Sequence, residues 1–405
     1  MVNIAVLGYG TVGSGVVEVL NTNHESINKR AGQEINIKYV LDLREFPGDP
    51  VMDVLVHDYD VILNDPEVKV VVEVMGGVNP AYKFVKAALE AGKSVCTSNK
   101  ELVAKHGAEL LEIAKAKNIN FLFEASVGGG IPIIRPLNQS LTADEIEEIT
   151  GILNGTTNYI LSKMSTEGLD FDSVLKDAQD KGYAERNPEA DVEGYDACRK
   201  IAILSSLAFG MQVDYEDIYT EGITKITDTD IKYAKALNAS IKLFGTSRKE
   251  NDKVFACVTP VMIEQNHPLY SVNDVFNGIY VRGNVLGDVM FYGSGAGKLP
   301  TASAVVADVV DAVKHLGTNI TTIWSSKKLE LADFNQASYK YFVRLSGDAE
   351  NVKVAAKKAF GEVKEVKAEG VTGEYAFITS EMKEEEFNKL SECLGNVISR
   401  IRVRF

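Results

Sequence analysis

Between Gly182-Tyr183 and Lys200 the chain reads GYAERNPEADVEGYDACRK, and five acids, Glu185, Glu189, Asp191, Glu193 and Asp196, lead up to one lysine. Asp196 and Lys200 are four residues apart with the acid first, a spacing that puts both on one helix face and lets them pair. An ordinary surface ion pair has the same spacing. Lys200, however, opens into IAILSSLAFG, an almost wholly apolar run whose start is expected to be buried. A buried lysine needs partners or a lowered pKa, and Glu185, Asp191 and Asp196 are the acids that would provide them. Asn187-Pro188 breaks any helix, so 182–190 reads as a loop, and a helix is expected to begin near Asp191, whose side chain can cap it.

A second group of residues sits at the start of the chain. NIAVLG is a clean strand pattern and runs into Gly8-Tyr9-Gly10-Thr11-Val12-Gly13, after which a helix is expected from about Thr11 to Asn21. The first glycine permits a tight turn, the second lets backbone approach a pyrophosphate, the third brings helix against strand, and the helix N-terminus supplies N–H donors to the anion. The next strand, INIKYVL, ends at Asp42 with Arg44 just beyond. The acid would bond a free ribose 2′-hydroxyl and favour NAD, whereas the arginine would accept a 2′-phosphate and favour NADP. Gly76-Gly77 closes KVVVEVMGG, either as a tight strand-to-helix turn or in contact with the ligand. CTSNKE places Lys100 at a helix start capped by Ser98 or Asn99, where a cation opposes the helix dipole, which points to work in the crevice.

The elements that position these residues follow a regular order. Short β-branched runs alternate with helical patterns over the first 125 residues, which specifies a parallel sheet flanked by helices. From Glu124 the pattern changes to EASVGGGIPIIRPLNQSL, a glycine run closed by prolines that reads as a hinge, and whose exposed carbonyl oxygens beside Glu124 would suit a hard cation. An α+β segment follows, with EIEEITGILNGTTNYILSKM read as a strand and then a helix capped by Asn154 or Thr156.

With 405 residues and 45% apolar content, the chain exceeds the roughly 250–300 residues at which one core stops growing, so two or three domains are expected. A net charge of −14, spread without single-sign tails, argues against nucleic acid or an anionic membrane as a partner. No basic leader and no apolar run of about 20 residues is present, which predicts a cytoplasmic protein. Cys96, Cys198, Cys257 and Cys393 lie far apart, as expected for buried small hydrophobes in a reducing compartment.

The spacing Ala178-x3-Gly182-Tyr183-Ala184-x2-Asn187-Pro188-x2-Asp191-Val192-x-Gly194-x-Asp196-x3-Lys200 resembles the signature of the homoserine dehydrogenases. GYGTVGSGV, EVMGGV, TSNKEL, FEASVGGGIPII, ILNGTTNYIL and FYGSGAGKLPTASAVVAD extend the likeness over residues 1 to about 320. The resemblance implies an α/β protein with a Rossmann-like dinucleotide-binding domain (1–130, completed by about 295–325) and an α+β catalytic and dimerisation domain (131–294). Its implied reaction is the NAD- or NADP-dependent interconversion of L-homoserine and L-aspartate 4-semialdehyde, in threonine, methionine and isoleucine biosynthesis. It assigns Glu185 to the substrate ammonium, Asp191 and Asp196 to the alcohol or aldehyde end and the lysine, Lys200 to proton donation or relay, and Lys100 to the nicotinamide and reacting oxygen. It further implies a homodimer, a sodium ion at Glu124, Val127, Gly129 and Ile131 through backbone carbonyls and the glutamate, and a return of Gly295 to the cofactor.

Residues 336–405 read as a separate C-terminal βαββαβ unit that resembles the ACT regulatory domain. Its turn Gly347-Asp348-Ala349-Glu350-Asn351 lacks the Pro-Gly of an effector-binding turn, so weak threonine response is expected, as is activity without this region. Two rival readings are an aspartate-semialdehyde dehydrogenase, which would need a cysteine nucleophile beside a base, and a non-catalytic cofactor sensor, which would not need the acid–lysine set.

Overall fold

The computed structural model describes residues 1–347, 349–394 and 396–405; Asp348, in the turn singled out above, lies outside them. The chain divides into two compact units, the first made of 1–145, 202–215 and 293–329, the second of 146–201, 216–292 and 330–405.

In the first unit β1 (Val2–Leu7), β2 (Ile35–Leu41), β3 (Leu55–Val56), β4 (Val68–Glu73), β5 (Ser94–Thr97) and β6 (Phe121–Leu122) form one sheet in the order β3-β2-β1-β4-β5-β6. Every pairing is parallel. Helices cover such a sheet on both faces, so its central strands need no polar alternation: Val70, Val71 and Val72 of β4 are all fully buried. The helices are α1 (Thr11–Thr22), α2 (His24–Ala31), α3 (Tyr59–Leu63), α4 (Ala81–Glu90) and α5 (Lys100–Ala116). HESINKRA, which lengthens the gap between Gly8 and Asp42, is thus the extra helix α2. The strand order reverses between β1 and β4, and that reversal opens a crevice at their carboxyl ends. A late helix, Lys298–Lys314, returns to this core, burying Ala302, Val305 and Val309. A Cβ on Gly15 of α1 would lie 2.9 Å from the Lys298 carbonyl oxygen, so the two helices approach this closely because position 15 has no side chain.

The second unit opens with β7 (Ile146–Ile152), α6 (Gly155–Glu167), α7 (Phe171–Asp180), α8 (Glu189–Val192) and the start of α9 (Tyr195–Phe209). Its mixed sheet runs Gly287–Ser294, Phe276–Gly283, β7, Ala239–Glu250, Lys253–Glu264, Val397–Arg404, Ser338–Ser346, Glu374–Ile378, Lys364–Val366. The long hairpin at its centre pairs residue for residue from Ala239↔Glu264 to Glu250↔Lys253. Asn251 and Asp252 both take positive φ in its two-residue turn, which matches the twist of the strands.

Two expectations are corrected here. The helix expected from Asp191 is two helices: α8 is a single turn that starts after Pro188, and Gly194 (φ +85) redirects the chain before α9 begins at Tyr195. Asp191 therefore lies inside α8 and does not cap the helix that carries Lys200. Nor does 336–405 stand apart, because Val397–Arg404 pairs in parallel with Lys253–Glu264, Val261 opposite Arg402, and continues the sheet.

Candidate active site

In the first unit, the turn after β1 has the geometry a dinucleotide phosphate needs. Gly8 takes φ +98, and a Cβ on Gly13 would lie 1.9 Å from the Gly8 carbonyl oxygen, so no other residue fits at position 13 without moving the strand. A Cβ on Gly10 would meet nothing within 4 Å, so the space outside the turn is open. Gly10, at the N-cap of α1, offers no side-chain cap, which leaves the amides at the helix start to an anion. Beside the turn is a cavity of about 490 Å³ lined by Gly8, Gly10, Asp42, Arg44, Met75 and Phe84, among others.

Asp42 at the end of β2 accepts from the Tyr9 amide (2.8 Å) and from Arg44 at Nε and Nη2 (2.9 Å each). The Arg44 guanidinium holds the Asp42 carboxyl well below the usual carboxylate range. Asp42 and Arg44, the two groups expected to compete for the ribose 2′-position, therefore stand at the same cavity as an ion pair. Gly76 and Gly77 take φ +81 and +70, so a tight turn is required of them in either role.

Beneath that turn lies a residue that sequence reasoning missed. Glu73, fully buried, accepts from the Met75 amide (2.8 Å) and the Thr97 hydroxyl (2.6 Å), and burial raises its pKa. Asn99 donates to the Gly77 carbonyl (2.6 Å) and caps α5 by accepting from the Leu102 amide (3.1 Å). The ends of β4 and β5 are thereby tied together just before Lys100, the first residue of α5. A lone acid inside VVVEVM is the signal that marks Glu73.

The glycine loop 124–131 differs from expectation in one side chain. Glu124 accepts from the amides of Ile133 (2.6 Å), Ile134 (2.8 Å) and Arg135 (2.7 Å), so its carboxylate fastens the chain after the loop and is not directed to a cation. Its own amide donates to Asp308, which also receives Arg135 Nη2 at 2.6 Å; burial, and the nearby Glu124 charge, raise Asp308 well above a normal carboxylate. A cation in this loop is left with main-chain oxygens. Among the described residues no hydrogen bond reaches those of Val127, Gly129 or Ile131. A Cβ on Gly129 would lie 2.2 Å from the Gly295 carbonyl oxygen, which puts Gly295 directly against the loop. No cluster of three or more His, Cys, Asp or Glu side chains among the described residues is arranged to hold a metal.

In the second unit, Lys200 and Asp196 are both buried, 8% and 4% exposed, and pair at 2.8 Å on one face of α9. Lys200 also donates to the Leu153 carbonyl at 2.8 Å, just beyond β7. The Leu153 side chain occupies room left by two glycines that face each other across the sheet: a Cβ on Gly151 or Gly245 would approach it to 2.7 or 2.9 Å. Asn154 caps α6 and donates to both Asp191 (2.7 Å) and Asp196 (2.9 Å). Glu185, by contrast, lies exposed in the loop before α8, and no hydrogen bond or ion pair joins its carboxylate to this cluster. The expectation that it partners Lys200 is corrected: the loop turns its side chain to solvent.

The arrangement is a buried ammonium fixed between a carboxylate and a carbonyl, with a second carboxylate alongside. It suits proton transfer to an oxygen that gains charge as hydride arrives. The cysteines do not compete for this role. Cys96 is fully buried with its thiol raised well above the ordinary value, burial raises Cys198, and neither has the lowered pKa of an acyl-enzyme nucleophile. Cys393 is exposed, against the expectation that all four are buried. No helix among the described residues is long and apolar enough to cross a membrane.

Comparison with known proteins gives the family. Residues 8–124 match the family model for the NAD-binding domain of homoserine dehydrogenase, and 132–310 match the homoserine dehydrogenase model. The chain is 44% identical over 323 residues to the homoserine dehydrogenase of Bacillus subtilis, an overlap of 79% of this chain and 75% of that one. The crystal structure of a homoserine dehydrogenase from Thiobacillus denitrificans superposes with a TM-score of 0.89 at 35% identity, covering 100% of this chain and 98% of that one. A hyperthermophilic archaeal homoserine dehydrogenase in complex with NADPH superposes at 0.65 with 29% identity, covering 77% of this chain and 97% of that one. The chain belongs to the homoserine dehydrogenase family.

Proposed function

We propose that the chain interconverts L-homoserine and L-aspartate 4-semialdehyde through the Lys200 cluster, within the pathway that leads from aspartate to threonine and methionine. The observation that carries this reading is the buried Lys200–Asp196 pair bridged through Asn154 to Asp191. A nicotinamide dinucleotide, when bound, exchanges the hydride. Lys200 delivers a proton to the carbonyl oxygen in one direction and receives it in the other, and Asp196 keeps it charged and aimed. Asp191 orients the alcohol or aldehyde end. Glu185, with its carboxylate at the surface of its loop, takes the substrate ammonium, and Lys100 works beside the reacting oxygen.

The Gly8–Gly13 turn holds the pyrophosphate, with Tyr9, Thr11 and Val12 presenting backbone, and Gly76, Gly77 and Gly295 complete the rim. Asp42 meets the ribose of NAD, or Arg44 the 2′-phosphate of NADP. Main-chain oxygens of Glu124, Val127, Gly129 and Ile131 hold sodium, which would stiffen the loop against Gly295. Residues 1–130 with 295–325 make up the cofactor domain, 131–294 the substrate and dimerisation domain, and 336–405 an ACT-like module without strong threonine response. The exposed apolar side chains Val285, Leu286 and Met290 near the edge strand Gly287–Ser294 support a homodimer, since a second copy would cover them.

Homoserine-dependent reduction of NAD and of NADP, followed at the nicotinamide absorbance, tests the reading. Turnover with at least one cofactor is expected; none with either, in a folded protein that binds both, overturns it.

A further inference from the structure

We infer that Asn154 is a positioning residue of the catalytic cluster, one that holds the two substrate-site acids at a fixed separation. Its side-chain amide has two N–H bonds, and both are committed: one reaches Asp191 Oδ1 at 2.7 Å, the other Asp196 Oδ2 at 2.9 Å. Its Oδ1 accepts from the Thr157 amide at 2.9 Å and the Thr157 hydroxyl at 3.1 Å, so the same group starts α6. Asn154 is buried at 6% exposure, so these bonds are shielded from bulk water. Asp196 Oδ2 also receives Lys200, and Leu153, next in the chain to Asn154, gives Lys200 its carbonyl. Two consecutive residues thus place the ammonium and both carboxylates, which come from α8 and α9.

The residue type follows from the charges. Two carboxylates this close repel one another, and a neutral donor to both draws them together without adding charge. An aspartate of the same shape would keep the α6 cap but put a third acid among the other two. A serine would keep the cap and be too short to bridge. The two roles of Asn154 can therefore be separated.

This inference rests on the reading of Asp191 and Asp196 as acids of the substrate site, so Asp191→Asn and Asp196→Asn serve as reference variants. With Asn154→Ser, which keeps the cap and adds no charge, melting should fall less than with Asn154→Ala, cofactor affinity should be unchanged, and kcat should fall about a hundredfold, the cost of misplacing reacting groups by about an ångström. Asn154→Asp, which buries a third acid beside two others, should lose the same activity and melt lower. Asn154→Ala should lose the same activity and also melt lower, because the cap is gone. If Asn154→Ser keeps native kcat and KM while Asn154→Ala melts lower, Asn154 is only a cap and the inference is overturned. If Asp191→Asn and Asp196→Asn themselves retain native kinetics, the reading of the cluster fails first, and the bridge has nothing catalytic to position.

Discussion

Replacing Lys200 by methionine keeps an unbranched apolar stem and removes the ammonium that donates to Asp196 and to the Leu153 carbonyl, each at 2.8 Å. Asp196 is 4% exposed, so its carboxylate would remain buried with its cation gone. Breaking a buried pair in this way costs about 3–5 kcal/mol. In a unit of this size each kcal/mol lowers the melting temperature by about 2–4 °C, so the second unit should melt roughly 6–20 °C lower. Turnover should fall about 10²–10⁴-fold, the usual contribution of a positioned general acid. Cofactor binding, read by nicotinamide fluorescence, should be unchanged because the glycine turn belongs to the first unit. Adding Asp196→Asn removes the stranded charge, so the double variant should regain most of the stability and none of the turnover. That divergence separates catalysis from folding. A Lys200→Met protein that turns over near the native rate in both directions would refute the proton-transfer role, and one that melts like the native chain would refute the electrostatic account of the pair.

Gly13→Ala should abolish cofactor binding in a folded protein, because its Cβ would meet the Gly8 carbonyl at 1.9 Å; measurable native affinity would show that the turn relaxes. Glu185→Gln should raise KM for homoserine with little change in kcat or melting, since its exposed carboxylate supports nothing else, and an unchanged KM would remove it from the substrate site. His267 gives a pH test. Burial, with Arg404 nearby, pushes its imidazole down to about 4, so the unfolded chain takes up a proton near pH 6.5 that the folded chain accepts only near 4. Stability is therefore complete above 6.5 and falls as pH drops toward 4, by roughly 1–3 kcal/mol once partial exposure is allowed for. His267→Phe, which keeps the ring beside Phe244, should flatten that part of the denaturation profile; an unaltered slope would assign the acid sensitivity elsewhere.

What the sequence reveals of this site is what local geometry fixes. A strand followed by glycines at 8, 10 and 13 can be read directly, because each glycine answers a constraint a few residues away. Asp196 and Lys200 can be read because a helix turns every 3.6 residues. Asn154 and Leu153 lie more than 40 residues upstream of that pair, and nothing in ILNGTTN shows that its first polar residue faces two acids rather than only its own helix. Gly151 and Gly245 make room for Leu153 across a strand pairing that no periodicity announces. The partners of the Glu124 side chain are hidden from the sequence for the same reason. A carboxylate beside a glycine run suggests a cation, but the three amides it accepts from lie between Pro132 and Pro136, where the chain has turned back on itself.

The C-terminal region shows how long-range electrostatics can overrule composition. Its strands and helices have the pattern of an independent module, yet its arginines have partners outside it. Arg402, 3% exposed, reaches Glu221 at 2.7 Å as well as Glu384 at 2.7 Å. Arg344 meets Asp230, fully buried, at 2.8 Å, and Arg404 meets Glu148 of β7 at 2.7 Å. Deleting 336–405 would strand three acids of the remaining unit, two of them buried, and uncover the edge of Lys253–Glu264 where Val397–Arg404 pairs. At several kcal/mol for each uncompensated buried charge, that loss rivals the whole stability of a domain. These contacts argue that the region helps fold the catalytic unit, so removing 336–405 should lower stability and activity together, against the expectation that activity survives; a truncated chain that folds and turns over normally would refute this. Any effect of an amino acid on this region has to be sought in the full-length protein, where these ion pairs remain in place.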